Sequence, residues 1–266
     1  MTDVLTFTGV DLTYPTGVTA LSGVSIALAA GEFVSVVGPS GCGKSTLLRL
    51  AAGLAKPTAG ELVRTATEVG YVFQDPTLLP WRTVRRNVEL PAELRGLGRR
   101  ERATRATEAL ARVGLGDVAD QRPRTLSGGM RMRVSLARTL TLRPDLFLFD
   151  EPFAAVDELN RGKLGDDLRR LFTAEPDGAA ALFVTHSVAE AVYLSDRVLV
   201  MSPRPGRIVA EVPVDLPAER APALRYSPEF AALTGVVHNA LEESTVELSG
   251  QGRKDLTAGV GKGRAA

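Results

Sequence analysis

Cysteine is almost missing from the chain. Cys42 is the only one in 266 residues, so no intrachain disulfide can form and a core must hold the fold together. Such usage suits a reducing compartment. Long apolar runs are missing as well: none approaches the ~18 residues that span a bilayer, and the opening MTDVLTFTG has no secretory-leader pattern. Nor is there an excess of charge of either sign. The formal net charge of +1 gives no bulk attraction to nucleic acid or anionic lipid, so no nucleic-acid partner is expected. Arginine far outnumbers lysine, which fits genome bias better than phosphate recognition. These absences suggest a cytoplasmic protein. What is present is an ordinary globular composition, 44% hydrophobic and 24% charged, with material for one large α/β domain or two small ones.

Three continuous apolar runs carry the organisation. GEFVSVVGPSGCGKSTLLRLAAGL reads as a buried strand, a glycine-rich turn and a helix with Leu47, Leu48, Ala51 and Leu54 as apolar positions. PDLFLFDEP is a second short run ending in acids, the pattern of an interior parallel strand. AAALFVTHS is a third, followed by a capping-box pattern, Ser187 with Glu190, that opens another helix. Helical periodicity dominates an arginine-rich stretch between the first two strands, roughly 82–143, which predicts a helical insertion. RVLVMSPRPGRIVAEVPV reads as an antiparallel hairpin around a Pro/Gly turn. SPEFAALTGVVHNALEES predicts a capped amphipathic helix with Phe230, Leu233, Val237 and Leu241 on one face. The glycine-rich end, from Ser249, is expected to be mobile. Residues 1–218 thus read as one domain, with about 82–143 inserted, and 219–266 as a C-terminal helix and tail.

GPSGCGKST, residues 38–46, fits G-x-x-x-x-G-K-[ST] in the strand–loop–helix context that the motif requires. Its glycines let successive N–H groups of Gly38, Pro39, Ser40, Gly41, Cys42, Gly43, Lys44, Ser45 and Thr46 (all but the proline) wrap phosphates, and the helix N-terminus adds its dipole. Lys44 suits the β- and γ-phosphates of ATP, and the Ser45 hydroxyl suits Mg²⁺. Asp150 ends an apolar strand, where a carboxylate is costly unless it faces a ligand or ion, so it suits the same Mg²⁺. Glu151 follows with the opposite side-chain direction and fits a general base on an attacking water. His186 ends the third strand, and carboxyl ends of parallel strands are where such sheets bind ligands, here the γ-phosphate. His238 carries no assignment.

A second glycine-marked helix start, TLSGGMRMR, has no lysine. Ser127 suits the cap of a helix over 130–142, with Gly128 and Gly129 exposing N–H groups at its positive end. In their order, GPSGCGKST, YVFQD, LSGGM, LFLFDEP, AAVD and VTHS resemble the nucleotide-binding subunit of an ABC transporter over residues 2–215. The resemblance implies a P-loop NTPase core with an antiparallel β portion and a helical insertion. It implies that Gln74 is the Q-loop glutamine, with a place at the metal, that Asp157 is the D-loop aspartate and that His186 is the switch histidine. Tyr14 stands where the family stacks an aromatic on adenine; a half-buried strand tyrosine is the other reading. The family packs two such domains head to tail, so the loop at Ser127, Gly128 and Gly129 would complete the partner's ATP site.

Met130 replaces the usual glutamine after the glycines, as in the nitrate, sulfonate and taurine importer branch that the chain resembles. The implied partners are a second copy, an integral membrane permease and, indirectly, a solute-binding protein, with the chain itself peripheral at the cytoplasmic face of the cell membrane. Leu78, Leu79 and Trp81 cluster just past Gln74 in turn-rich sequence and read equally as core or as partner surface. The resemblance favours the surface, where the permease's coupling helix docks. A soluble ATPase of the same family, not coupled to transport, would use the same motifs. A general P-loop kinase or GTPase would leave LSGGM and His186 without a role.

Overall fold

The computed structural model describes residues 2–173 and 178–258, and their side chains except those of Leu159 and 246–258. Among the described residues nine strands fall into two sheets. β1 (Asp3–Thr13), β2 (Thr19–Ala29) and β4 (Ala59–Arg64) form an antiparallel sheet in the order β2-β1-β4. β3 (Phe33–Val37), β5 (Val69–Val72), β6 (Leu146–Asp150), β7 (Ala180–Thr185), β8 (Arg197–Met201) and β9 (Ile208–Pro213) form the second, ordered β5-β6-β7-β3-β8-β9. This sheet is parallel except at its β8–β9 edge, where the hairpin read from the sequence is found.

Alternation along the central strands divides the interior into two cores. Phe147 and Phe149 of β6, Ala181 and Phe183 of β7 and Phe33 and Val37 of β3 face the larger one. That core is closed by α2 (Val84–Leu94), α3 (Arg99–Arg112), α4 (Gly128–Leu140), α5 (Glu158–Thr173), α6 (Val188–Leu194) and α7 (Pro228–Ala258). Phe172 of α5 meets Phe33 and Phe147 edge-on at 5.0 Å, the geometry that aromatic quadrupoles favour. The opposite faces, Leu146 and Leu148, Leu182 and Val184, Val34 and Val36, meet α1 (Lys44–Ala51) and the antiparallel sheet. Even-numbered residues of β6 therefore point towards α1. Asp150 continues that series.

α1 buries Leu47, Leu48, Leu50 and Ala51 and then stops, so Leu54 lies beyond it and is exposed, contrary to its expected place on the apolar face. The expected insertion is α2–α4. Its last helix starts at Gly128 rather than residue 130, because the serine cap already holds the Met130 N–H. α7 carries the expected apolar face, with Phe230 and Val237 buried and Leu233 and Leu241 packed beside them. Its backbone stays helical to Ala258, ten residues into the segment read as a tail; residues 259–266 of that segment lie outside the described residues. Among the described residues no helix is long and apolar enough to cross a membrane.

Candidate nucleotide site

The loop between β3 and α1 lines a cleft of about 440 Å³ with Tyr14, Thr16, Val18, Ala20, Glu151 and Arg204. Gly43 has φ 117°, and a Cβ there would stand 2.8 Å from the Ala20 carbonyl oxygen, so only glycine lets the loop turn into α1 at this place. Lys44 is almost fully buried, and its ammonium donates to the carbonyls of Gly38 at 2.8 Å and Pro39 at 3.0 Å. Cys42 is buried beneath it, and burial raises the thiol pKa against the opposing pull of Lys44. Tyr14 lies just past β1, outside the strand, and its hydroxyl is 2.9 Å from that of Thr46. Its half-burial and its place in the cleft leave a ring beside the loop.

The Ser45 hydroxyl donates to Asp150 Oδ1 at 2.9 Å. The other carboxylate oxygen accepts from the Tyr71 hydroxyl at 3.0 Å. Burial and then the Asp150 charge hold the Tyr71 phenol protonated, so it can only donate there. Its ring stacks on exposed Phe73 at 4.2 Å, one residue before Gln74. Tyr71 opens the YVFQD stretch of the sequence, but its contact with Asp150 was not foreseen. What could have found it is its strand position, two residues past the first one of β5 and so on the α1 side of the sheet.

Glu151 turns out of β6 with φ 44°, a left-handed conformation costing a non-glycine residue about 1 kcal/mol or more. The structure holds it there through its N–H on the Val184 carbonyl at 2.9 Å. Its Oε2 lies 3.0 Å from His186 Nδ1. An ionised carboxylate only accepts, so the ring proton sits on Nδ1 and Nε2 is left for another partner. Sequence reasoning placed both residues at strand ends but did not foresee their contact. The capping box after His186 is half formed. The Ser187 hydroxyl accepts from Glu190 N at 3.3 Å, but the Glu190 carboxylate takes the Thr185 hydroxyl at 2.6 Å instead of reaching back. Burial raises the Glu190 pKa, which makes that short donated bond the more valuable.

A second group forms away from this cleft. Ser127 caps α4, and a Cβ on Gly128 would lie 3.7 Å from the Ala155 carbonyl, one on Gly129 3.9 Å from Asn160. Asn160 in turn donates to both Asp157 oxygens, at 3.1 Å from its backbone and 2.7 Å from its side chain, holding that carboxyl below its usual range. Ser127, Gly128, Gly129 and Asp157 thus lie near one another and do not line the Lys44 cleft. Gln74 is exposed two residues past β5, and no hydrogen bond joins it to Ser45 or Asp150. Trp81 is 69% exposed, whereas Leu78 packs against the larger core; the cluster is split between surface and interior.

Comparison with known proteins adds a family to this geometry. Residues 21–154 match the domain family described as "ABC transporter". An uncharacterized ABC transporter ATP-binding protein of Methanocaldococcus jannaschii is 45% identical, over 86% of this chain and 87% of that one. An aliphatic sulfonates import ATP-binding protein of Pseudomonas syringae is 44% identical, over 86% and 93%. A solved dimeric structure of an ATP-binding cassette, in a post-hydrolysis state with ADP and Pi, superposes with a TM-score of 0.69 at 33% identity, covering 80% of this chain and 99% of that one.

Proposed function

The chain belongs to the ABC transporter family of ATP-binding subunits, and from that premise we propose that two copies hydrolyse MgATP at shared sites to drive a membrane permease. The observation that carries this reading is the division of the site. One chain holds a glycine-rich cleft at Lys44 and, apart from it, a serine-capped, glycine-marked helix start at Ser127. Two chains facing head to tail would bring each cleft against the other's helix start, and a helix N-terminus favours phosphate charge. The similar cassette that is dimeric with ADP and Pi supports the pairing of two copies.

Each residue then has a defined task. Lys44 exchanges two neutral carbonyls for phosphate oxygens, a stronger charge-assisted partner. Glu151 takes the proton of the attacking water, while His186 Nδ1 orients its carboxylate and His186 Nε2 faces the γ-phosphate. Tyr14 offers its ring to adenine, and Gln74 and Asp157 carry the state of the γ-phosphate to permease and partner. Ser45 and Asp150 fit Mg²⁺, because a hydroxyl and a carboxylate already meet as hard oxygen donors. Among the described residues no cluster of three or more acids, histidines or cysteines could cage a metal, as expected for an ion bound largely by substrate phosphates. When bound, the ion neutralises charge developing on the β- and γ-oxygens. The metal role of Gln74 rests on the family resemblance alone.

The sulfonate-import relative and Met130 favour a small oxyanion such as an alkanesulfonate, taurine or nitrate, delivered by a solute-binding protein. The chain would sit peripherally at the cytoplasmic face of the membrane. Glu151→Gln tests the core of the reading: the amide keeps contact with His186 but cannot take a proton, so turnover falls about 10²–10⁴-fold. MgATP then doubles the mass seen by light scattering. Turnover near that of the wild type removes Glu151 as the base, and a monomer in MgATP removes the dimer.

A further inference from the structure

The end of β8 and the β8–β9 turn, SPRPGR, lie against the phosphate loop at three places. A Cβ on Gly206 would stand 2.2 Å from the Cys42 carbonyl oxygen, and one on Gly38 would stand 2.8 Å from the Met201 carbonyl oxygen. These approaches need glycine on both sides of the contact. The turn is also tied to β2, by Gly206 N on the Ala20 carbonyl at 2.9 Å and Ser22 N on the Gly206 carbonyl at 3.0 Å. Arg204 makes the third contact. Its Nε and one terminal nitrogen both donate to the Gly41 carbonyl, at 3.1 and 2.9 Å.

We propose that Arg204 is a nucleotide-affinity residue, which pins the Gly41–Cys42 peptide of the phosphate loop and supplies a second cation beside Lys44. The inference rests on the cleft being the nucleotide site. Gly41 has φ 74°, so this peptide belongs to a glycine with wide rotational freedom. Arg204 grips its carbonyl end, while its N–H end bonds the Pro39 carbonyl at 3.4 Å. A loop held in one orientation loses less entropy on closing around a polyphosphate. Charge acts in the same direction. Arg204 lines the cleft and is exposed, and no described carboxylate lies in ion-pair distance to neutralise it. Cationic attraction to a polyanion persists over about 10 Å at 0.1 M salt. Lysine could supply the charge but cannot reproduce the two-donor grip of a planar guanidinium.

The test titrates ATP and ADP against wild type, Arg204→Ala, Arg204→Lys and, as control, Lys44→Ala, by calorimetry at two salt concentrations and by steady-state kinetics. Arg204→Ala weakens ATP binding about tenfold, equal to about 1.4 kcal/mol, and raises KM by the same factor while kcat falls far less. Arg204→Lys falls between the two, and the salt dependence of binding is shallower in Arg204→Ala than in wild type. A merely structural arginine would lower kcat and thermal stability together without changing that salt slope. Binding within twofold of wild type in both Arg204 variants, with Lys44→Ala defective, overturns the proposal and leaves the site standing. Full binding in Lys44→Ala overturns the site itself. Because Arg204→Lys retains the stem, it answers the question even if Arg204→Ala does not fold.

Discussion

Trp81→Ala should separate attachment to the permease from everything else the chain does. A tryptophan side chain presents ~250 Å². At 69% exposure roughly 170 Å² of Trp81 is open to a partner, and burying it all at ~25 cal/mol/Å² sets an upper limit of about 4 kcal/mol. Interface tryptophans realise about 2 kcal/mol or more on truncation, so affinity for the permease should fall about thirtyfold. The isolated subunit should not notice. A surface substitution costs within ~0.5 kcal/mol, and Trp81 is outside the nucleotide cleft. Leu78→Ala provides the contrast, because Leu78 packs on the larger core and its truncation should cost about 2 kcal/mol of stability. The assay pairs a pull-down on the cognate permease in detergent with urea melts and MgATP titrations of the soluble variants. Unchanged permease affinity for Trp81→Ala would refute the docking argument. A lowered urea midpoint would show that this exposed indole supports the fold after all.

Two further changes probe one contact beside the cleft and one buried cation remote from it. Tyr71→Phe keeps the ring stack on Phe73 but removes the donor to Asp150, so Mg²⁺ should bind the nucleotide complex about tenfold more weakly, with Mg²⁺-free ATP binding unchanged; a single Mg²⁺ titration of bound fluorescent nucleotide checks this. Arg220→Ala removes a buried guanidinium that donates to the carbonyls of Val192, Tyr193, Ser195 and Pro217. Burial and the neighbouring Arg169 bring its pKa down to about 10, so it is still cationic at neutral pH, and its loss should cost about 3 kcal/mol and lower the urea midpoint by about 1 M.

The parallel core was legible because buried strands with two covered faces read as unbroken apolar runs, as in FVSVV, LFLFD and AALFVT. The antiparallel sheet was not located strand by strand, and the reason lies in its register. In β1 the buried set passes from Leu5 and Phe7 to Val10 and Leu12, a change of parity at the irregularity around Gly9 that breaks the period-2 signal. β4 buries almost nothing, and β5 is four residues with a glycine inside, so neither stands out. The site showed the same division. Residues inside contiguous motifs, such as Lys44, Ser45, Asp150 and Glu151, could be named from spacing. Tyr71 meets Asp150 through sheet order and Arg204 meets the loop through a turn contact, and no local pattern records either contact. The pairing of Glu151 with His186 depends on β6 and β7 being neighbours, a fact of topology.

The central claim is that each ATP site is shared by two chains, and mixing two inactive variants tests it most directly. Lys44→Ala removes the ammonium proposed to hold phosphate, and Ser127→Arg sets a bulky cation where the other chain's nucleotide would meet the helix start. Each homodimer carries its lesion in both sites. A mixed dimer collects both lesions in one site and leaves the other intact, so an equal mixture should regain about a quarter of the wild-type sites. ATPase activity is followed after mixing, with heterodimers counted by native mass spectrometry. The account predicts activity that rises in proportion to the heterodimer fraction. Abundant heterodimers without any recovery would contradict it.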